Sequence, residues 1–345
     1  MALFPTRLQD AIILAGEQYR LTQFEGRLSS YDIYQAFKDN TSMLIPAAEL
    51  EAAKKSARRV TKIPVLNKID FTIGSTRACT PGDQAITSEF VQPSYSTYVF
   101  DFHMQPNINE DNYFAYQQEF AHKFIQGLKK FGETIDSAAG TFLESNLTQV
   151  NASPLFGGIV GDTVSLTYAE REEFYKSIPS ILVRNDLSGN KVLDIANPEA
   201  QIMYDSIARQ GAGNSVNKAY QISNFAPYRS NRVTLDAGIA ETHYLIPEGH
   251  IGTLSWIPMD YKIGRGGEDN LWTSVVDPIF GLTWALRYVY ACADLSAVSG
   301  GDATLTSSFV EKFEFSIDIA FMTSHSSDTS SAIFKYAIAE DTALT

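Results

Sequence analysis

Hydrophobic and polar positions change their spacing repeatedly along the chain, and each change marks an element. Over the first sixty residues, short helical stretches alternate with breakers. Ser29-Ser30-Tyr31-Asp32 can cap a helix running to about Lys38, and Pro46 can open another through Glu49-Leu50-Glu51-Ala52-Ala53-Lys54 that ends before Pro64. From Val65 to Gln105 the period falls to two. Ile69, Phe71 and Ile73 alternate with polar residues, and Tyr98, Phe100 and Phe102 do so again beyond the turn-rich stretches Thr80-Pro81-Gly82-Asp83 and Gln92-Pro93-Ser94. This predicts a long, open β-hairpin whose polar tip has little apolar material to pack on its own domain, so it is expected to project.

A helical period follows. Apolar or small residues recur at Tyr113, Tyr116, Phe120, Phe124, Leu128, Phe131, Ile135, Ala138 and Phe142, a spacing of about 3.6 that belongs to a straight helix and not to a supercoiled seam. Asn107 or Asn109 can cap it, and Glu110 and Asp111 suit the positive end of its dipole. A helix over 110–147 would span roughly 55 Å and should lie across a sheet. Gly127, Gly132 and Gly140 each weaken it by up to ~1 kcal/mol relative to Ala, so a bend or break is expected near them if anywhere.

Between Thr163 and about Gly267 the pattern is mixed. It predicts a helix at Tyr168 to Ser177, a strand Ile181 to Arg184, a turn Asn185 to Asn190, a returning strand Lys191 to Ile195, and a helix opened by Pro198 that runs to Gly211. Tyr244 to His250 reads as strand, turn, strand. The last third returns to strands at Thr283 to Ala293, Phe313 to Phe321 and Ala332 to Ile338, with Phe313, Phe315, Ile317 and Ile319 on one face. These last strands are expected to pack on the long helix, giving an α+β chain of two units, one of them discontinuous.

Composition narrows the function. With 345 residues and 44% hydrophobic content the chain can bury a sizeable core, and 12% aromatic residues demand that much surface be covered inside the fold or between copies. A formal charge of −13 is the wrong sign for general nucleic-acid binding, although an acidic wall would not adhere to enclosed polyanions. Cys79 and Cys292 stand far apart with no CxxC partner, which argues against a disulfide framework or a cysteine zinc cluster. The run Ala11-Ile12-Ile13-Leu14-Ala15 is too short for a membrane span and lacks a basic flank, so no membrane association is expected.

Candidate chemistry is sparse. His243 and His250 flank Glu248 without HExxH spacing, and Gly264-Arg265-Gly266-Gly267 lacks the lysine and helix of a P-loop. Gly157-Gly158-Ile159-Val160-Gly161 is no dinucleotide fingerprint, Cys79 and His103 have no orienting third group, and Asp186 to Asn190 is not in EF-hand register. No cofactor, metal or catalytic residue is therefore assigned. The basic run is more informative: Lys54 with Arg58, Lys55 with Arg59 and Arg58 with Lys62 would be like-charge i,i+4 pairs on a helix, which favours an anionic partner. On so acidic a protein that partner is first the acidic surface of another copy and DNA second, and the plain alternative is a solvated face.

The order of arm, projecting hairpin, long helix, compact insertion and returning strands resembles the major capsid proteins of tailed phages with the Hong Kong 97-like fold. Ser75-Thr76-Arg77-Ala78-Cys79, Ser96-Thr97-Tyr98 to Pro106, Asn107 to Gln118 and Leu143 to Val150 look like segments of capsid proteins from crAss-like and related phages. The resemblance implies an N-terminal arm over 1–64, an extended loop over 65–105 that overlaps a neighbouring subunit, a peripheral domain over 106–163 and 275–345 with a spine helix at 110–147, and an axial domain over 164–274. It further implies hexamers and pentamers of the chain around double-stranded DNA enclosed without sequence-specific binding, with a scaffolding protein, a portal and decoration proteins as partners. Lys54, Lys55, Arg58, Arg59, Lys62, Arg77 and Asp83 are the candidate inter-subunit contacts. The alternatives are a soluble α/β enzyme with a pocket in 164–274 and a cellular encapsulating shell protein.

Overall fold

The computed structural model describes residues 10–17, 31–59, 63–66, 88–91, 93–104, 116–147, 156–184, 191–210, 225–267, 269–294, 307–324 and 332–341. The elements run α1 (10–17), α2 (Asp32–Leu44), α3 (Ala47–Lys55), β1 (Ile63–Leu66), β2 (Ser88–Val91), β3 (Tyr95–Met104), α4 (Tyr116–Ser145), β4 (Gly158–Val160), β5 (Thr163–Leu166) and α5 (Arg171–Arg184). There follow β6 (Val192–Ala196), α6 (Glu199–Gln210), β7 (Phe225–Arg229), β8 (Ile239–Pro247), β9 (Ile251–Trp256), α7 (Met259–Ile263), β10 (Arg265–Gly267), β11 (Asn270–Val276), β12 (Thr283–Asp294), β13 (Ser307–Thr323) and β14 (Phe334–Ala339).

The first sheet is built on β13, seventeen residues long. Antiparallel β12 pairs with it over Ser307 to Ser316 and β9 over Asp318 to Thr323, while β3 pairs over Glu311 to Ala320. Because β12 and β9 occupy successive stretches, they follow one another along one edge and β3 takes the other. β11 and β10 continue beyond β12. Pairing sets Phe315 opposite Phe100 and Phe313 opposite Phe102, so the inward face becomes a ladder of rings. Phe100 stacks on Phe315 at 5.0 Å and stands edge-on to Trp284 at 5.2 Å.

Across that ladder lies α4, thirty residues without a break. Phe120, Phe124, Leu128, Phe131 and Ile135 are buried against the sheet, as the spacing predicts. In the last turns the buried positions become Ala139 and Leu143, with Ala138 and Phe142 only part-buried. There the helix leaves the first sheet and packs with Leu193, Ile195, Tyr244 and Ile246 of the second. The three glycines do not interrupt it, and two of them make room for a ring: a Cβ on Gly127 would meet the Phe100 ring at 2.5 Å and one on Gly132 the Phe280 ring at 3.1 Å, whereas one on Gly140 would make ordinary contact with the Arg232 carbonyl at 3.4 Å.

The second sheet has the order β4-β5-β14-β8-β6-β7, with β14 parallel to β5 and β6 parallel to β7. Salt bridges tie it to the end of α4. The nearly buried Lys335 ammonium lies 2.7 Å from Glu144 and 3.3 Å from Asp236, and the Tyr244 hydroxyl donates to Glu144 at 2.7 Å.

Several expectations need correction. Ile181 to Arg184 is not a strand but the end of α5, since Phe174, Tyr175, Ile178 and Ile181 continue one buried helical face. Among the described residues, 95–104 pair with β13, and the ribbon of the expected hairpin is the short antiparallel β1–β2 pair. Ile69 to Ile73, the hairpin tip, residues 106–115 and Asn185 to Asn190 lie outside the described residues. Sheet membership also departs from the expected 164–274 unit. β9, β10 and β11 belong to the first sheet, whereas β14 sits in the second, where its fully buried Phe334 to Ile338 run finds cover on both faces.

Candidate assembly surfaces

The basic run is not one helical stripe. α3 ends at Lys55 and Ser56 turns extended at φ −57° and ψ 136°, so Lys54 and Arg58 are not helical neighbours. Ending the helix there avoids the like-charge pairs that a longer one would impose. Lys54 and Lys55 both approach Glu51, at 3.7 and 3.9 Å. Arg59 lies 3.6 Å from the nearly buried Asp318 of β13, whose other oxygen accepts the Thr97 hydroxyl at 2.5 Å. Arg58 is exposed, its backbone held to the Ser56 hydroxyl. Lys62, Arg77 and Asp83 lie outside the described residues.

Beside α3 is a cleft of about 440 Å³ between α2, α3, β9, α7 and the turn at 281–283. Among the described residues three lysines line it, Lys38, Lys54 and Lys262, and no carboxylate does. Lys38 Nζ donates to the Phe280 carbonyl at 2.5 Å. Lys262 Nζ donates to the Lys54 carbonyl and, at 3.1 Å, to that of Ser56, thereby capping the carbonyl end of α3. The same ammonium stands 5.2 Å from the Trp256 ring centroid, and the indole N–H donates to Ser56 O at 3.0 Å. Burial pulls the Lys262 pKa below its ordinary value. Lys38 and Lys262 were not singled out from sequence, since isolated lysines carry no pattern there.

The second sheet encloses a charged cluster. His243 Nδ1 lies 2.8 Å from Asp194 Oδ1 and its Nε2 lies 3.4 Å from Glu241 Oε2; Arg229 lies 2.8 Å from the second Asp194 oxygen, and Arg171 pairs with Glu241. Asp194 and His243 are wholly buried. Burial alone would depress His243, but the Asp194 charge and hydrogen bonds to Asp194 and Glu241 hold its pKa above the ordinary value. Burial would raise both carboxyls. For Asp194 the charges of His243 and Arg229 override it, and for Glu241 the bonds and charges of His243 and Arg171 do, so both lie low. The signal for this cluster was present as polar residues inside apolar strands: Asp194 in Val192-Leu193-Asp194-Ile195, and Glu241-Thr242-His243 in β8.

His250 bonds the Ser324 hydroxyl at 2.6 Å, apart from the partners of His243. Gly264 to Gly267 forms the start of a β10–β11 hairpin, with Arg265 on Asp260 at 3.1 Å. Gly158 to Val160 is an edge strand, Cys292 is exposed, and Cys79 lies outside the described residues. No helix among the described residues is long and apolar enough to cross a membrane.

No protein-family model and no curated protein matches the chain. Solved structures do. The capsid of cyanophage A-1(L) aligns over 91% of this chain and 94% of its own, with a TM-score of 0.51 at 11% identity. The chain has a phage-capsid fold. The mature capsid of bacteriophage PhiM1 matches over 81% of this chain and 82% of its own at a TM-score of 0.46 and 12% identity, and mycobacterium phage Che8 over 86% and 89% at 0.47 and 12%. Mixed helix and sheet in one α+β chain, with a long helix across strands from both ends of the chain, agrees with the Hong Kong 97-like architecture that the resemblance implied.

Proposed function

We propose that this chain is the major capsid protein of a tailed phage, assembling through hexamers and pentamers into an icosahedral shell around double-stranded DNA. The single observation that carries the reading is the likeness of fold to the cyanophage A-1(L) capsid over more than nine-tenths of both chains. In this reading the first sheet with α4 forms the peripheral unit, the second sheet with α5 and α6 the axial unit, residues 1–64 the arm, and 65–105 the extended loop, whose last strand, β3, joins the peripheral sheet. The protein resides in the virion, its work is structural and not enzymatic, and its partners are itself, a scaffolding protein, a portal and decoration proteins. The buried cluster around His243 supports this, since charges sealed from solvent suit a structural knot and offer no substrate a path. Lys54, Lys55, Arg58, Arg59, Lys62, Arg77 and Asp83 remain candidate contacts between copies.

Electron microscopy of the expressed protein, with and without a scaffolding partner, tests the reading. Shells, tubes or capsomers support it. Small, compact oligomers under every assembly condition would overturn it in favour of another class.

A further inference from the structure

We infer that the three-lysine cleft beside α3 is a socket for a carboxylate side chain of a second copy of this chain. The inference takes from the shell-building reading only that copies meet.

The argument is one of charge. A protein of net charge −13 has a surface where most positive groups are neutralised nearby, as Lys54, Lys55 and Arg59 partly are. Lys38 and Lys262 are placed differently. Their ammonium groups are held by backbone carbonyls of Phe280, Lys54 and Ser56, which orient them without cancelling their charge. Among the described residues no Asp or Glu lines the cleft and neither lysine has an ion pair, so its walls concentrate positive potential in a recess. Ser42, Ser255 and Thr283 also line it, and their side chains are of the kind that donates to an oxygen ligand.

The ligand class follows from shape and supply. A recess of about 440 Å³ admits one or two side chains or a free oxyanion but not a duplex, whose phosphates track an extended ridge. Each copy carries 40 acidic residues against 27 basic ones, so the commonest anion at assembly is a carboxylate of this same chain. The cleft also shares α3 with the expected contact residue Lys54, which places it beside the arm. Binding there would fasten the neighbour to α2, α3 and the first sheet at once, because the cleft is walled by all of them.

The test is zero-length carbodiimide crosslinking, which joins an ammonium to a carboxylate in contact, on an equal mixture of ¹⁴N- and ¹⁵N-labelled protein under assembly conditions. The expected result is mixed-isotope peptides joining Lys38 or Lys262 to an Asp or Glu, lost in Lys38→Gln with Lys262→Gln. Since Lys262→Gln removes a cap from α3, Lys38→Gln alone, which leaves α3 untouched, serves as the second variant and should abolish the Lys38 crosslinks with an unchanged unfolding midpoint. Mixed peptides from other lysines but not from these would overturn the inference while leaving the shell reading intact. Mixed peptides from these lysines in small oligomers that never form shells would sustain the inference and count against the shell. Protection of Lys38 and Lys262 by a DNA duplex or by inorganic phosphate, and not by a second copy, would also overturn it.

Discussion

The ring of Phe100 lies 2.5 Å from the point where a Cβ on Gly127 would stand. In a helix, Gly to Ala normally gains up to ~1 kcal/mol. Here the ring is held by Phe315, Phe124 and Trp284 at centroid separations of 5.0, 6.1 and 5.2 Å and has nowhere to go. Gly127→Ala should therefore cost about 1–3 kcal/mol by overpacking, a net loss in denaturant unfolding of the unassembled protein. Gly140→Ala, whose nearest neighbours stand at an ordinary 3.4 Å, should be neutral or stabilising. Equal effects at the two sites would show that the ring does move.

Asp136 on α4 accepts the Tyr34 backbone N–H at 3.0 Å and the Ser230 hydroxyl, supplying α2 with the N-terminal cap that its own Tyr31 does not. Asp136→Ala should cost about 1–3 kcal/mol by stranding buried donors, and Asp136→Asn, which keeps an acceptor, should cost less. Burial raises the Asp136 pKa despite these bonds. The folded state then holds its proton longer than the unfolded one, so this group's contribution falls as pH rises from the ordinary carboxylate value to the folded one. A comparison of urea midpoints for Asp136→Asn and the parent across that window should show the parent alone losing stability from this source.

His243 gives the opposite group type and a higher window. Its folded pKa is raised above the ordinary 6.5, so its stabilisation is complete below that value and lost as pH climbs through the folded one. Asp194 and Glu241, with lowered pKa values, contribute above their unfolded values and lose that contribution as pH falls through the folded ones. In His243→Gln the alkaline decline should vanish while an acid decline persists. Unfolding curves between about pH 4 and about pH 9 read both limbs; an unchanged alkaline limb in the variant would assign it elsewhere.

Lys54→Glu with Arg58→Glu should leave the unassembled protein within about 1 kcal/mol of the parent, because both side chains are exposed and exposed pairs contribute little. Shell yield should drop. Sedimentation and electron microscopy check it, and normal particles from this double variant would remove Lys54 and Arg58 from the contacts.

How much of this was legible beforehand depends on how each element is stabilised. α4 was, because a sheet under a helix imprints the helix's own period on its apolar residues; so was the face of β13 carrying Phe313 to Ile319. The strand misread at Ile181 to Arg184 shows the limit of short windows: β-branched composition suggested extension, while Phe174, Tyr175 and Ile178 a few residues upstream had already committed the segment to a helical face. Assigning β9 and β14 to sheets needed long-range pairing that no local pattern encodes. Of the surfaces, the basic run was visible because like charges were adjacent in sequence. The cleft was not, since Lys38 and Lys262 meet only after α2 and α7 are placed.

The turn between β8 and β9 joins strands that belong to different sheets, and it is fastened on several sides. The Gly249 N–H donates to Asn40 Oδ1 at 3.1 Å, Glu248 N–H to Lys191 O at 2.9 Å, and His250 to Ser324. Gly249 itself sits at φ 83°, where a side chain would be strained and would press on Met43 at 3.2 Å. Such a joint ties the two sheets to each other and to α2 through Asn40. A wall built of these units would take its curvature from the angles at which whole molecules abut, as an arch does from the faces of its stones.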